Sequence, residues 1–204
     1  MQKSGGGYEN KPSIFDGFDK EDIILAFFPC VRFENQIMLS YRGQAYQQKG
    51  WTYRQKMIHD MELLSETKEN YDLVNMLFII CIDRGLKLIM ENPYSEEHFL
   101  RRYWCYPAAV IDKDRRENGD YYKKPTQYWF LNCEPQNNFL FEATEYNAIE
   151  CSGFNGDSWR DRRLSDYKKT GADSLKTARS MIHPSYARRF IRTQILKEEE
   201  LNDI

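Results

Sequence analysis

The chain has 204 residues, 41% of them hydrophobic and 29% charged, with a formal net charge of −2. That balance excludes wholesale disorder and a surface that is basic all over, and it fits one medium domain or a domain with a small appendage. No apolar run approaches the roughly 18 residues that a membrane-spanning helix requires, so no membrane partner is expected. The five cysteines (Cys30, Cys81, Cys105, Cys133, Cys151) are scattered, form no CxxC pair and are accompanied by three histidines. A disulfide framework or a metal site is therefore not expected, and the setting reads as a reducing cytoplasm.

Residues 1–20 read as an arm. Met1 to Asn10 is polar and Gly-rich and resembles neither a signal peptide nor a lipidation site. The run Ile23-Ile24-Leu25-Ala26-Phe27-Phe28, ended by Pro29, predicts a strand buried on both faces, the kind parallel sheets use. A loop rich in Arg, Tyr and Gln follows. A long helix is predicted from a cap at Thr52 to Gly85, with Met57, Met61, Leu64, Tyr71, Val74, Leu77, Phe78 and Cys81 on one apolar face. Leu86 to Met90 is a second buried strand. Strand, helix, strand is a βαβ unit, whose strands run parallel.

Further strands are expected at Ala108–Ile111 and Gln127–Leu131, with a charged segment from Asp112 to Lys124 between them. Phe154 to Lys176 is polar and irregular, and a last helix spans roughly Pro184 to Lys197. The predicted fold class is α/β: a Rossmann-like, mostly parallel sheet flanked by helices. The core occupies 21–150, a basic irregular segment 151–180, and a C-terminal helix packing on the core 181–204.

In an open parallel sheet, ligands sit beyond the carboxyl ends of the strands. Pro29-Cys30 follows the first strand and Glu91-Asn92-Pro93 ends the second, so the crossover places a thiol and a carboxylate on one rim although they are far apart in the chain. Either feature alone is ordinary, a packed cysteine or turn chemistry.

These residues resemble the DNA cytosine-5 methyltransferases, and especially short phage-type members. Ile24 to Cys30 looks like the family's strand leading to its Pro-Cys nucleophile loop, and Leu88 to Pro93 like the strand carrying its Glu-Asn dipeptide. Gly119 to Thr126, followed by Tyr128-Trp129-Phe130, resembles the family's basic stretch and next strand. Arg179-Ser180-Met181-Ile182-His183-Pro184 with Ala187 resembles the segment before the last helix. The resemblance implies a methyltransferase-type sheet in a bacterial or phage-encoded enzyme. It implies that Cys30 adds to cytosine C6, Glu91 acts at N3 and the exocyclic amine, and C5 takes a methyl group from S-adenosylmethionine. Asn92 and Pro29 would set the nucleophile loop, with Pro93, Lys123 and Lys124 close to the substrate. The base would be flipped out of double-stranded DNA.

Residues 151 to 197 hold 11 Lys or Arg against 4 Asp or Glu. Arg160, Arg162 and Arg163, with Trp159 and Tyr167 interleaved, are the expected DNA contacts; a solvated loop is the plainer reading of any one of them. The departure from the family is at the front. Only 29 residues precede Cys30, and Ser4-Gly5-Gly6-Gly7 follows no predicted strand, so the cofactor site is expected to be incomplete in this chain or completed by a second subunit or an upstream segment. Phe28 and Val31-Arg32-Phe33 also differ from the family's usual residues around the cysteine. Three readings stand: a methyltransferase or its catalytic half, a non-catalytic nucleic-acid-binding or accessory remnant of the fold, and an unrelated thiol enzyme.

Overall fold

The computed structural model describes residues 13–28, 30, 32–34, 37–120, 124–136 and 181–197. Its elements are β1 (Ile23–Phe27), α1 (Ile37–Tyr41), α2 (Tyr53–Arg84), β2 (Lys87–Pro93), α3 (Phe99–Tyr103), β3 (Val110–Asp112), β4 (Thr126–Leu131) and α4 (Pro184–Phe190). A π-helical turn, Ile191–Ile195, continues α4. The sheet order is β1-β2-β4-β3.

β1 and β2 pair in parallel, with Leu25 opposite Ile89 and Phe27 opposite Glu91. β4 is antiparallel to both of its neighbours, β2 and β3. The structure is thus α/β with a mixed sheet, and the expectation of mostly parallel pairing is corrected: one pairing of three is parallel. β1, β2 and β3 point the same way, but β4 enters inverted between β2 and β3, so both of its ladders are antiparallel.

Side-chain alternation assigns each strand two faces. Leu88, Met90, Trp129 and Leu131 face α2 and pack with Val74, Phe78 and Cys81. Ile89, Tyr128 and Phe130 face the other way and meet Phe190 and Ile195 of the C-terminal helix. Each such side chain taken out of water contributes on the order of 1.5–3 kcal/mol before ordering costs.

α2 starts on a capping box, with Thr52 Oγ1 accepting from Gln55 N–H and Gln55 Oε1 accepting from Thr52 N–H. It ends at Gly85, whose φ of 66° no β-carbon-bearing residue adopts cheaply. At about 1.5 Å per residue its 32 residues span ~48 Å, roughly twice the reach of a seven-residue strand. The N-terminal half therefore overhangs the sheet. Met57, Met61 and Leu64, expected on the core face, are exposed, Met61 at 72%. The overhang is held instead by Tyr41 Oη against Thr67 Oγ1 at 2.8 Å and by Trp51 edge-on to His59.

β1 departs from expectation as well. It is the sheet's edge strand, and Leu25 and Phe27 are 39% and 63% exposed, so it is buried on one face rather than two. Two further helices, α1 and α3, have no sequence signal of their own, because each is a single turn too short to show a period.

Candidate active site

The C-terminal ends of β1, β2 and β3 and the start of β4 share one rim, as their directions require. Cys30 lies just past β1, and Glu91 occupies the fifth position of β2, in register with Phe27 and Tyr128. Thiol and carboxylate are thus brought to the same rim.

Cys30 is half-buried. Burial, then a hydrogen bond to the Glu34 carboxylate, pushes its thiol up to about 12. A tight turn sets that contact, with Phe33 N–H and Glu34 N–H both donating to the Cys30 carbonyl at 2.8 and 3.1 Å. The sulfur rests as a protonated thiol with an acceptor attached.

Glu91 projects from the α4 side of β2 into a cavity of about 200 Å³, walled by Leu25, Phe27, Ile89, Tyr128, Phe190 and Ile191. Glu91 Oε1 is buried with no hydrogen-bond partner. Burial raises its carboxyl above the usual range, while the charges of Lys124 and Arg115 pull it down. The cavity is an apolar slot with one ionisable acid. Cys30 is not among its lining residues.

Asn92, next in β2, points to the opposite face and is fully buried. Its Nδ2 donates to the Phe28 carbonyl at 3.3 Å, and its Oδ1 faces His98 Nε2 at 2.9 Å. Because Nδ2 is the donor to Phe28, Oδ1 must accept, which assigns the proton to His98 Nε2. Burial depresses His98 to about 4, so the ring is neutral. One side chain thus ties the exit of β1, two residues before the cysteine, to β2. The Pro93 carbonyl accepts from Gln127 Nε2 at 2.8 Å.

A buried polar cluster underlies the rim. Arg115 is fully buried, ion-paired with Asp120, 3.9 Å from Glu91 Oε1, and stacked with its Cζ 4.2 Å from the Tyr186 ring centroid. Burial opposes its charge, but Tyr186, Asp120, Tyr128 and Glu91 together outweigh that and raise its pKa. Tyr186 Oη lies 2.7 Å from Tyr128 Oη and donates to Asp112 Oδ2 at 3.1 Å. Asn118 Nδ2 donates to the same oxygen.

Of the residues singled out from sequence, the structure gathers Cys30, Glu91, Asn92, Pro93 and Lys124 at this rim. Lys124 takes a positive φ of 24° as the chain enters β4. Pro29, Lys123, Arg160, Arg162 and Arg163, with the whole of 151–180, lie outside the described residues. Sequence reasoning missed Arg115, Asp120, Tyr128 and Tyr186. The rule that ligands sit beyond strand ends, applied to the third strand as to the first two, would have pointed to Asp112 and the charged residues after it.

No group of three or more His, Cys, Asp or Glu that could hold a metal ion occurs among the described residues. Nor is any helix among them long and apolar enough to cross a membrane. Compared with known proteins, the chain matches no family model, no curated protein and no solved structure.

Proposed function

We propose that this chain carries the base-activating half of a DNA cytosine-5 methyltransferase. The observation that supports it most is the pairing of a largely buried Glu91 carboxylate, whose Oε1 makes no hydrogen bond, in an apolar slot with a thiol on the adjacent parallel strand's exit. The slot suits one heteroaromatic ring that presents a ring nitrogen and an amine to the acid. In the proposed reaction Cys30 Sγ attacks C6 as its proton passes to the Glu34 carboxylate. The charge that builds on the ring is met by a proton from Glu91 to N3, and the raised carboxyl suits Glu91 to that task. C5 is left nucleophilic.

S-adenosylmethionine is the proposed methyl source, but the described residues do not make a site for it. A drug-sized ligand takes about 300–1,000 Å³, and this cavity is smaller and offers a single carboxylate. The chemistry proposed for the described residues therefore ends at the activated ring. The missing part is proposed to come from a second subunit or an upstream segment. The outer edge of β1 supports this: among the described residues no strand pairs with it. Size separation over a range of concentrations checks the subunit idea, and a strictly monomeric species at every concentration would count against it.

The second reading, a non-catalytic nucleic-acid-binding or accessory protein, is favoured by one observation. The Cys30 thiol is held protonated and outside the cavity lining. Trapping decides between the two. With DNA containing 5-fluorocytosine and S-adenosylmethionine, wild-type protein is expected to form a covalent adduct that Cys30→Ser abolishes and Glu91→Gln strongly slows. No adduct, with a candidate partner protein supplied as well, leaves the binding reading.

A further inference from the structure

Glu91 needs something to hold it in an apolar slot, and the structure offers two cations. Lys124, at the head of β4, is partly exposed and contributes charge from the rim. Arg115 is fully buried and fixed on several sides: ion-paired with Asp120, stacked on Tyr186, and with Nη1 3.5 Å from Thr126 Oγ1. Asp120 is in turn anchored by the His183 backbone N–H at 3.0 Å, just ahead of α4. A guanidinium held in this way has little freedom; its Nε makes no hydrogen bond, and its Nη1 lies 3.9 Å from Glu91 Oε1.

We propose that Arg115 is the positioning residue for Glu91, a clamped internal cation that aims the carboxylate into the cavity and supplies the fixed positive field it faces. The proposal rests on the reading of Glu91 as the acid of the site. It divides the labour between the two cations: Lys124 supplies a field that salt can screen, and Arg115 one that salt cannot. The other groups around Glu91 are the Cys30 thiol past β1, Tyr128 on β4 and Tyr186 on α4. Asp112 on β3 lies behind the tyrosines, and Asp120 behind Arg115. Buried Arg189 on α4 donates to Asn118 Oδ1 and its charge acts on Asp112 and Tyr186; the cations that act on Glu91 itself are Lys124 and Arg115, so loss of Arg115 leaves Lys124 as the cation acting on it among the described residues.

The test is the titration of the Glu91 carboxyl, followed by NMR of full-length protein labelled with 13C in its glutamate side chains and assigned with Glu91→Gln. Arg115→Met is expected to raise the Glu91 midpoint by about one pH unit or more, and Arg115→Lys to restore most of the shift. Lys124→Gln is expected to raise it too, but that increment fades at about 1 M salt, where the screening length falls to ~3 Å, whereas the Arg115 increment persists. Should Arg115→Met fail to fold because Asp120 loses its ion pair with Arg115, Arg115→Met/Asp120→Asn removes both charges together, and a smaller shift of the same sign is expected, since the Asp120 charge that opposed it is gone as well. A Glu91 midpoint unchanged within about 0.3 unit in the folded variant, or a shift that salt abolishes, overturns the proposal. This readout needs no DNA. A wild-type protein that forms no adduct therefore defeats the functional reading while the Arg115 question is still answered.

Discussion

On the α2 side of the sheet, Leu88, Met90, Trp129 and Leu131 meet Val74, Phe78 and Cys81, and the contact is apolar throughout. On the α4 side the same two strands, one residue out of phase, present Ile89 and Glu91, Tyr128 and Phe130 to a layer that includes Tyr186, Arg115, Asp112 and Asp120. Strand periodicity alone separates them, so a single backbone carries a dry core and a buried polar cluster back to back. The first face supplies stability chiefly through these apolar contacts, with the buried Asn92–His98 pair as its polar exception. The second gives up stability to desolvated charges, which lie at the rim where the strands end.

Truncation is the strongest way to test that division. Phe78→Ala should cost about 3–5 kcal/mol, since Phe78 is 3% exposed and wedged edge-on against Trp104, and the void cannot be refilled by a helix pinned at Gly85. Denaturant unfolding measures it. A cost below about 1 kcal/mol would mean that the α2 face is not the principal core.

The two faces should also respond to pH with opposite signs, because the adjacent residues Asn92 and Glu91 belong to different faces. On the α2 face, His98 beside Asn92 is depressed from its ordinary 6.5 to about 4. Between those values the unfolded chain binds a proton that the folded chain does not, so this contribution to stability is present above 6.5 and is lost on acidification toward 4. On the α4 face, the Glu91 carboxyl is raised above its ordinary 4.5. Here the folded chain keeps the proton longer, so the contribution is present below 4.5 and is lost as pH rises through the folded value. Unfolding midpoints across that range should show His98→Gln flattening the acid limb and Glu91→Gln the upper limb. If each variant altered the other's limb, the two faces would not be electrically separate.

Legibility in the sequence follows the same division. The α2 face is readable because periodicity of apolar residues reports burial directly: Val74, Phe78 and Cys81 fall three and four apart, and the caps Thr52 and Gly85 bracket the helix. The same rule misleads at Met57, Met61 and Leu64. Apolar spacing says which residues share a stripe, not how far the sheet beneath extends. The sense of β4 is hidden too, since the direction of a strand depends on the path between strands rather than on its residues. Cys30 and Glu91 are readable at the rim because each is tied to a strand end. Arg115 and Asp120 are not: a charged run such as Asp112 to Lys124 looks solvated, and nothing in the run itself tells that Arg115 is buried against Tyr186 of α4.

Within the polar cluster, the Tyr128–Tyr186 pair offers a sharper and smaller test. Tyr186→Phe leaves the Tyr128 hydroxyl and one Asp112 lone pair without their partner, and should cost about 1–3 kcal/mol. Tyr128→Phe should cost less, because Tyr186 keeps its bond to Asp112. A double-mutant cycle should return a coupling of roughly 0.5–3 kcal/mol, the value expected of groups sharing one network. Coupling near zero would mean the hydroxyls act independently, and the cluster would be no more than adjacent polar groups.

The smallest effect separates the two halves of α2. Thr52→Ala removes the acceptor for Gln55 N–H and should cost about 1 kcal/mol of helix stability where the cap is felt. The cap, however, serves the overhanging half, whose Met57, Met61 and Leu64 are mostly exposed. That half can fray without unseating Val74, Phe78 or Cys81 from the sheet, so its opening is local rather than global. Amide exchange should therefore quicken over the first turns, about fivefold for 1 kcal/mol, while the global unfolding midpoint barely moves. A global loss as large as the local one would instead tie the overhang to the core through Thr67 and Tyr41, whose hydrogen bond joins the N-terminal half of α2 to α1.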